Sequence, residues 1–228
     1  MKRLVVLVLL LAIAFAGCTN NVKLNQTQHG NAGQKGKGPM TRNGSVMWSE
    51  VMGIKAGNLT PQEVEDIIHM RQEEKLAHDV YLTLYNKWHL RIFENIAKSE
   101  QTHMNAVKML IEKYNLTDPN EGKGLGEFEN PKFTKLYKEL VAEGSKSVLD
   151  ALKVGAMIEE LDIVDLQKCL NHTNKRDIRL VYENLMRGSE NHLRAFVSQI
   201  ERMGGKYVPK YLSEKEFEEI IKSRVSSH

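Results

Sequence analysis

The chain has 228 residues, 41% of them hydrophobic and 27% charged, enough to bury one sizeable core. Its formal charge is +3, and without Lys2 and Arg3 at the N-terminus 30 bases face 29 acids, which excludes a nucleic-acid protein held by backbone charge. Two cysteines with no Cys-x-x-Cys spacing exclude a disulfide scaffold, a rubredoxin-type iron centre and a zinc ribbon.

Met1-Lys2-Arg3 precedes an apolar run, Leu4 to Ala16, of signal-peptide length and short for a membrane span. The run ends in Phe15-Ala16-Gly17-Cys18, which resembles the lipobox of bacterial or archaeal lipoproteins, with Phe15 where an aliphatic residue is usual. The resemblance implies a signal peptide over 1–17, cleavage before Cys18 and acylation of that cysteine. Cleavage near Ala16 with Cys18 left as a free thiol, or an uncleaved anchor, are the alternatives, and each puts the remainder outside the cytoplasm. Residues 18–45 are rich in Asn, Gln, Gly and Lys and hold almost nothing to bury, so they read as a disordered tether. An acyl chain and a tether would place the domain, residues 46–228, beside a membrane in the cell envelope.

Thr60-Pro61-Gln62-Glu63 is a capping box with proline at the first helical position, and predicts a helix to about Trp88. After a short break at 87–89, a second helix is expected from about Leu90 to Tyr114. Asn115, Asp118-Pro119 and the glycines at 122, 124 and 126 then interrupt regular structure. Asn130-Pro131 opens a shorter helix, 131–143. Ser145 or Ser147 caps a third long helix to about Leu170, and a fourth runs from about Lys175 to Met203 before Gly204-Gly205. Ser213 and Glu216 form a capping box for a terminal helix, 214–223. No segment alternates as a strand does. The pattern predicts an all-α protein of two antiparallel helical hairpins, joined by a long crossover that carries its own short helix. In its apolar surroundings Cys169 reads as a buried small hydrophobe.

One segment is written twice. Residues 73–106 and 159–195 align Glu73-Glu74 with Glu159-Glu160, Phe93-Glu94-Asn95 with Tyr182-Glu183-Asn184, and His103 with His192. Glu100 and His103 make a Glu-x-x-His, whose members share a helix face. Counting at ~1.5 Å per residue from each turn brings Glu74, Glu100, His103, Glu160 and His192 to one depth. A glutamate from each of two helices, with Glu-x-x-His from the other two, is the ligand set of a di-metal carboxylate bundle. Charged groups seldom occupy a core unless something neutralises them, and paired divalent ions would. The pattern breaks at Ser189, which stands where the sixth ligand belongs, and Glu190 is rotated from it by about 100°. A five-ligand asymmetric site, one tight ion with a weak second, and a site without catalysis all fit that break. Glu73, Glu94, Glu159 and Glu183 read as solvated, His78 as facing solvent and Tyr81 as core.

Beyond the ligand pattern, Glu74 is followed by Ala77 and Tyr81, and the phrases YLTLYNKW, FENIAKSEQTH, ALKVGAMIEELDI and GSENHLRAF stand in register. In these the chain resembles the ferritin-like superfamily, nearest its rubrerythrin and bacterioferritin branch, and within it a family of uncharacterised domains, over about residues 60–215. The resemblance implies a ferritin-like four-helix bundle binding a di-iron or di-manganese centre. It also implies a ferroxidase or a peroxide- or oxygen-reducing oxidoreductase, if the chain is an enzyme. The alternative is a non-enzymatic envelope module for binding or assembly, with a degenerate site. A homodimer is compatible with the residues, and the substrate, redox partner and metal identity are not fixed by them.

Overall fold

The computed structural model describes residues 49–223, so the leader, Cys18 and the tether lie outside the described residues. A helical turn over 49–53 leads to six helices: α1, Pro61–Trp88; α2, Arg91–Lys113; α3, Pro131–Gly144; α4, Val148–His172; α5, Arg176–Arg202; and α6, Glu214–Lys222. No strand occurs among the described residues. The expected caps form. Thr60 and Ser213 close capping boxes, and Asn130 and Ser147 accept backbone N–H bonds at their helix starts.

α1 and α2 form one hairpin, and α4 and α5 another. α1 also packs on α4 and α2 on α5, so the long helices run α1, α2, α5, α4 around a common core. α3 lies across α1 and α4, and α6 rests on α5. Each long helix buries a seam at alternating three- and four-residue spacing. On α1 the seam is Ile67, Met70, Glu74, Ala77, Tyr81, Leu84; on α4 it is Leu152, Gly155, Glu159, Asp162, Leu166, Cys169. The apolar residues divide into two clusters. One is built around Tyr81, Phe93 and Phe196, and the other around Met70, Leu110, Leu166 and Tyr182. The charged seam positions lie between these clusters in sequence on α1, α2 and α5, and at the border of the first cluster on α4.

α1 is unusual in burying polar residues away from its seam, and the crossover explains them. Arg71 donates to both carboxylate oxygens of Asp118 at 3.0 Å and to the Met104 carbonyl. Gln72 accepts from the Asn130 backbone. Lys75 pairs with Asp79, donates to the Gly124 carbonyl and lies over the Phe128 ring. Asp79 in turn accepts from the Gly126 backbone. Gly126 has φ +72°, and an added Cβ would stand 2.4 Å from the Tyr137 ring, so only glycine fits there. A segment without periodicity is thus fixed by side chains projecting from α1. At the far end, Glu63 accepts from Thr173 and Lys175, tying the start of α1 to the turn between α4 and α5.

Lys75 and Asp79 are both almost fully buried, so removing one partner strands the other. Lys75→Ala is expected to cost about 3–5 kcal/mol in urea unfolding. Lys98→Ala, which breaks an exposed helix pair with Glu94, is expected to cost under about 0.5 kcal/mol. Equal losses would contradict this account of the crossover.

Candidate metal centre

Two groups of potential ligands meet at mid-height of the long helices. Glu74, Glu100 and His103 form one, and Glu100, Glu159 and His192 the other. Within each group one ligand atom per residue lies within 4.8 Å of the others, all five residues of the two sets are buried, and Glu100 belongs to both. His103 Nδ1 is 2.8 Å from Glu100 and 3.2 Å from Glu74. His192 Nδ1 is 2.8 Å from Glu100 and 3.3 Å from Glu159. The two imidazoles stack, with ring centroids 5.5 Å apart.

These atoms converge without satisfying one another. Glu74 Oε1, Glu100 Oε1, His103 Nδ1 and His192 Nδ1 are buried and make no hydrogen bond, although both imidazole nitrogens lie at ion-pairing distance from carboxylates. Buried polar atoms in folded proteins are nearly always bonded, so this cluster of exceptions makes its residues candidates to hold a cation. Surrounding groups hold the ligands in position. His192 Nε2 contacts Ser99 Oγ at 2.9 Å, which leaves Nδ1 to face the carboxylates. Tyr81 donates to Glu159 at 2.6 Å. His103 lies against Gly188, where an added Cβ would stand 2.4 Å from Nε2.

The structure brings together Glu74, Glu100, His103 and His192 of the sequence-derived set, and replaces Glu160 with Glu159. Glu160 is fully buried but turned away. It accepts from Tyr207 Oη and from the backbone N–H groups of Lys210, Tyr211 and Leu212, and so straps the C-terminal segment to α4. The reason is azimuth: one residue turns a helix by about 100°, so neighbouring glutamates cannot share a seam. Glu159 and Glu73, read from the sequence as solvated, are buried. His78 contacts Asp79 instead of the cluster. A separate set, His69, Glu73 and Asp165, is ion-paired at 3.3 and 3.6 Å. Burial opposes charge on His69, but Asp165 and Glu73 outweigh it and raise the imidazole to about 10.

Asp162, one turn beyond Glu159, was not foreseen. Ser189 Oγ donates to its Oδ2, and its Oδ1 is buried without a hydrogen-bond partner.

The electrostatics follow from burial. Burial lifts the Glu74 carboxyl to about 8, with Glu100 adding to the rise and His103 opposing it. Burial raises Glu159 as well, and lifts Asp162 well above the usual range with help from the charges of Glu74 and Glu73. Glu100 moves the other way, because His192 and His103 flank it and overcome its desolvation. Burial disfavours both imidazolium forms, yet Glu100 with Glu74 carries His103 well above its ordinary value, and Glu100 with Glu159 carries His192 to about 10. Protons on Glu74 and the two imidazoles offset the negative charge buried here.

The fold and the cluster define an all-α protein with a buried carboxylate–histidine centre. A family model described as an uncharacterized protein domain, DUF2202, matches residues 63–224, and the chain belongs to that family. The uncharacterized protein MJ0754 of Methanocaldococcus jannaschii is 61% identical over 165 residues, covering 72% of this chain and 89% of the relative. The crystal structure of hypothetical protein MJ0754 from Methanococcus jannaschii DSM 2661 is similar at a TM-score of 0.75 and 58% identity, over 76% of this chain and 99% of that one.

Groups with raised folded pKa values stabilise the fold below their unfolded pKa and lose that contribution as pH rises through the folded value. For Glu74 this window runs from 4.5 to about 8, and for His192 from 6.5 to about 10. Glu100 is depressed, so its contribution is present above 4.5 and is lost only on acidification. The metal-free protein is therefore expected to melt at progressively lower temperature from about pH 6 to about pH 9, and Glu74→Gln to flatten that slope. A flat or rising melting temperature over the same range would contradict it.

Proposed function

We propose that the chain is a ferritin-like protein whose four long helices hold a di-metal carboxylate centre of iron or manganese. The observation that carries this reading is the pair of buried carboxylate–histidine sets sharing Glu100, with lone pairs left unbonded at their focus. Oxygen and imidazole donors without thiolate suit these metals. Glu74 and His103 would serve one ion, Glu159 and His192 the other, and Glu100 both. Such a pair supplies one-electron steps for oxidation of ferrous iron, or for reduction of oxygen or peroxide.

The protein's own residues would set the conditions. Apolar clusters on both sides keep bulk water out. Tyr81 orients Glu159 through its phenol. Glu74, His103 and His192 must give up protons as a cation enters, so uptake releases acid. The N-terminal tether and acylated Cys18 would hold this chemistry at the outer face of a membrane. No helix among the described residues is long and apolar enough to cross one. The competing reading, a non-enzymatic envelope module with a degenerate centre, is favoured by one observation, Ser189 in place of a ligand glutamate.

The test is metal content after anaerobic loading of residues 46–228 with ferrous iron and desalting. The expected outcome is two irons per chain, loss of tight binding in His103→Ala with helicity retained, and loss in Glu159→Gln but not in Glu160→Gln. Oxygen consumption by the loaded wild type would then separate an enzyme from a binding module. No retained iron, manganese or zinc would overturn the metalloprotein reading.

A further inference from the structure

The two hairpins carry the same number of acidic seam residues but place them differently. A shift of 85 residues lays Glu74 on Glu159 and Ala77 on Asp162. A shift of 89 lays Glu100 on Ser189 and His103 on His192. The first hairpin therefore has Ala77 on one helix and Glu100 on the other, while the second has Asp162 and Ser189. The carboxylate missing from α5 reappears on α4, and the two residues of the exchange touch.

From this exchange we infer that Asp162 is the fourth carboxylate ligand of the metal pair, supplied from α4 across the space that Ser189 leaves. The inference rests on the di-metal reading above. Three observations support it. Asp162 lies at i+3 from Glu159, so both project from one seam toward the same layer. It is 4% exposed, its Oδ2 is held by Ser189, and its Oδ1 is buried with no hydrogen-bond partner. Ser189 is fully buried and small, and its hydroxyl also reaches the Leu185 carbonyl at 3.1 Å. One hydroxyl proton cannot serve both acceptors at once. The Ser189 proton goes to Asp162 Oδ2 or to the Leu185 carbonyl, and in both orientations the hydroxyl oxygen stays against the carboxylate. Ser189 thus steadies the aspartate in either orientation.

Charge balance makes the same case. Glu74, Glu100 and Glu159 alone would leave two divalent ions with one uncompensated positive charge in a water-free layer. A fourth carboxylate cancels it, and neutral imidazoles complete the set. Four carboxylates and two histidines is the full complement expected of such a centre, with one member relocated.

The experiment titrates the full chain with manganese, following ions bound per chain by equilibrium dialysis and the spin coupling of the pair by electron paramagnetic resonance. Wild type, Asp162→Asn and the exchange variant Asp162→Ser/Ser189→Glu are compared, with helicity and melting temperature recorded for each. The inference predicts two coupled ions in the wild type. It predicts an uncoupled single ion in Asp162→Asn with the second weakened at least about tenfold, and two coupled ions again in the exchange variant. A folded Asp162→Asn binding two ions at wild-type affinity would overturn the inference and leave the di-metal reading standing. A wild type that binds one ion would also overturn it. A wild type that binds none would overturn both. Should Asp162→Asn fail to fold, the exchange variant decides: folded with two coupled ions it supports the inference, folded with fewer it overturns it.

Discussion

Glu74, Glu100, Glu159 and Asp162 occupy a layer that water does not reach, and an ionised carboxylate in such a place costs several kcal/mol unless opposite charge is supplied beside it. The rest of the architecture can be understood as meeting that demand. Two imidazoles stack within the layer and lie within 3.3 Å of Glu74, Glu100 and Glu159. Gly188 gives His103 its room, Ser99 turns His192, and Tyr81 and Ser189 each hold a carboxylate oxygen. The apolar clusters that stabilise the bundle also make the layer dry, which is why neutralisation has to come from within.

The same logic, at smaller scale, organises the outside of α1. Arg71, Gln72, Lys75 and Asp79 are buried because the crossover folds down on them, and each finds a partner there or on α2. Glu160 does this for the C-terminal segment, accepting from one phenol and three backbone donors. Buried acids therefore have two functions in this chain. Glu63, Asp79 and Glu160, outside the seams, meet donors and fasten turns and irregular segments. On the seams, Glu74, Glu100 and Glu159 face two histidines, and Glu74, Glu100 and Asp162 each leave an oxygen unbonded.

The helices were legible in the sequence because their ends carry local signals that owe nothing to tertiary structure: the boxes at Thr60 and Ser213, Pro61 and Pro131, and the glycines after α5. Glu100 and His103 were legible for a similar reason, since their spacing alone puts them on one face, and the repeat carried His192 with them. Glu159 was missed because the repeat aligns a pair of glutamates with a pair, and alignment cannot choose between neighbours about 100° apart. The deciding signal was present in the three-four spacing of Leu152, Gly155, Glu159, Asp162, Leu166 and Cys169. Asp162 escaped notice because a template that expects each carboxylate on a given helix reads Ser189 as a loss, whereas a buried carboxylate stands against it on the facing seam. Lys75 and Arg71 gave no sign of burial, because their partners lie in a segment without periodicity.

The most direct test of the central claim is anomalous diffraction from crystals of the protein grown with manganese, which locates ions without reference to activity. The account predicts two peaks among α1, α2, α4 and α5, one beside His103 and Glu74, the other beside His192 and Glu159, with Glu100 touching both and Glu160 neither. Absence of density in that layer, or a lone peak at His69, Glu73 and Asp165, would contradict it.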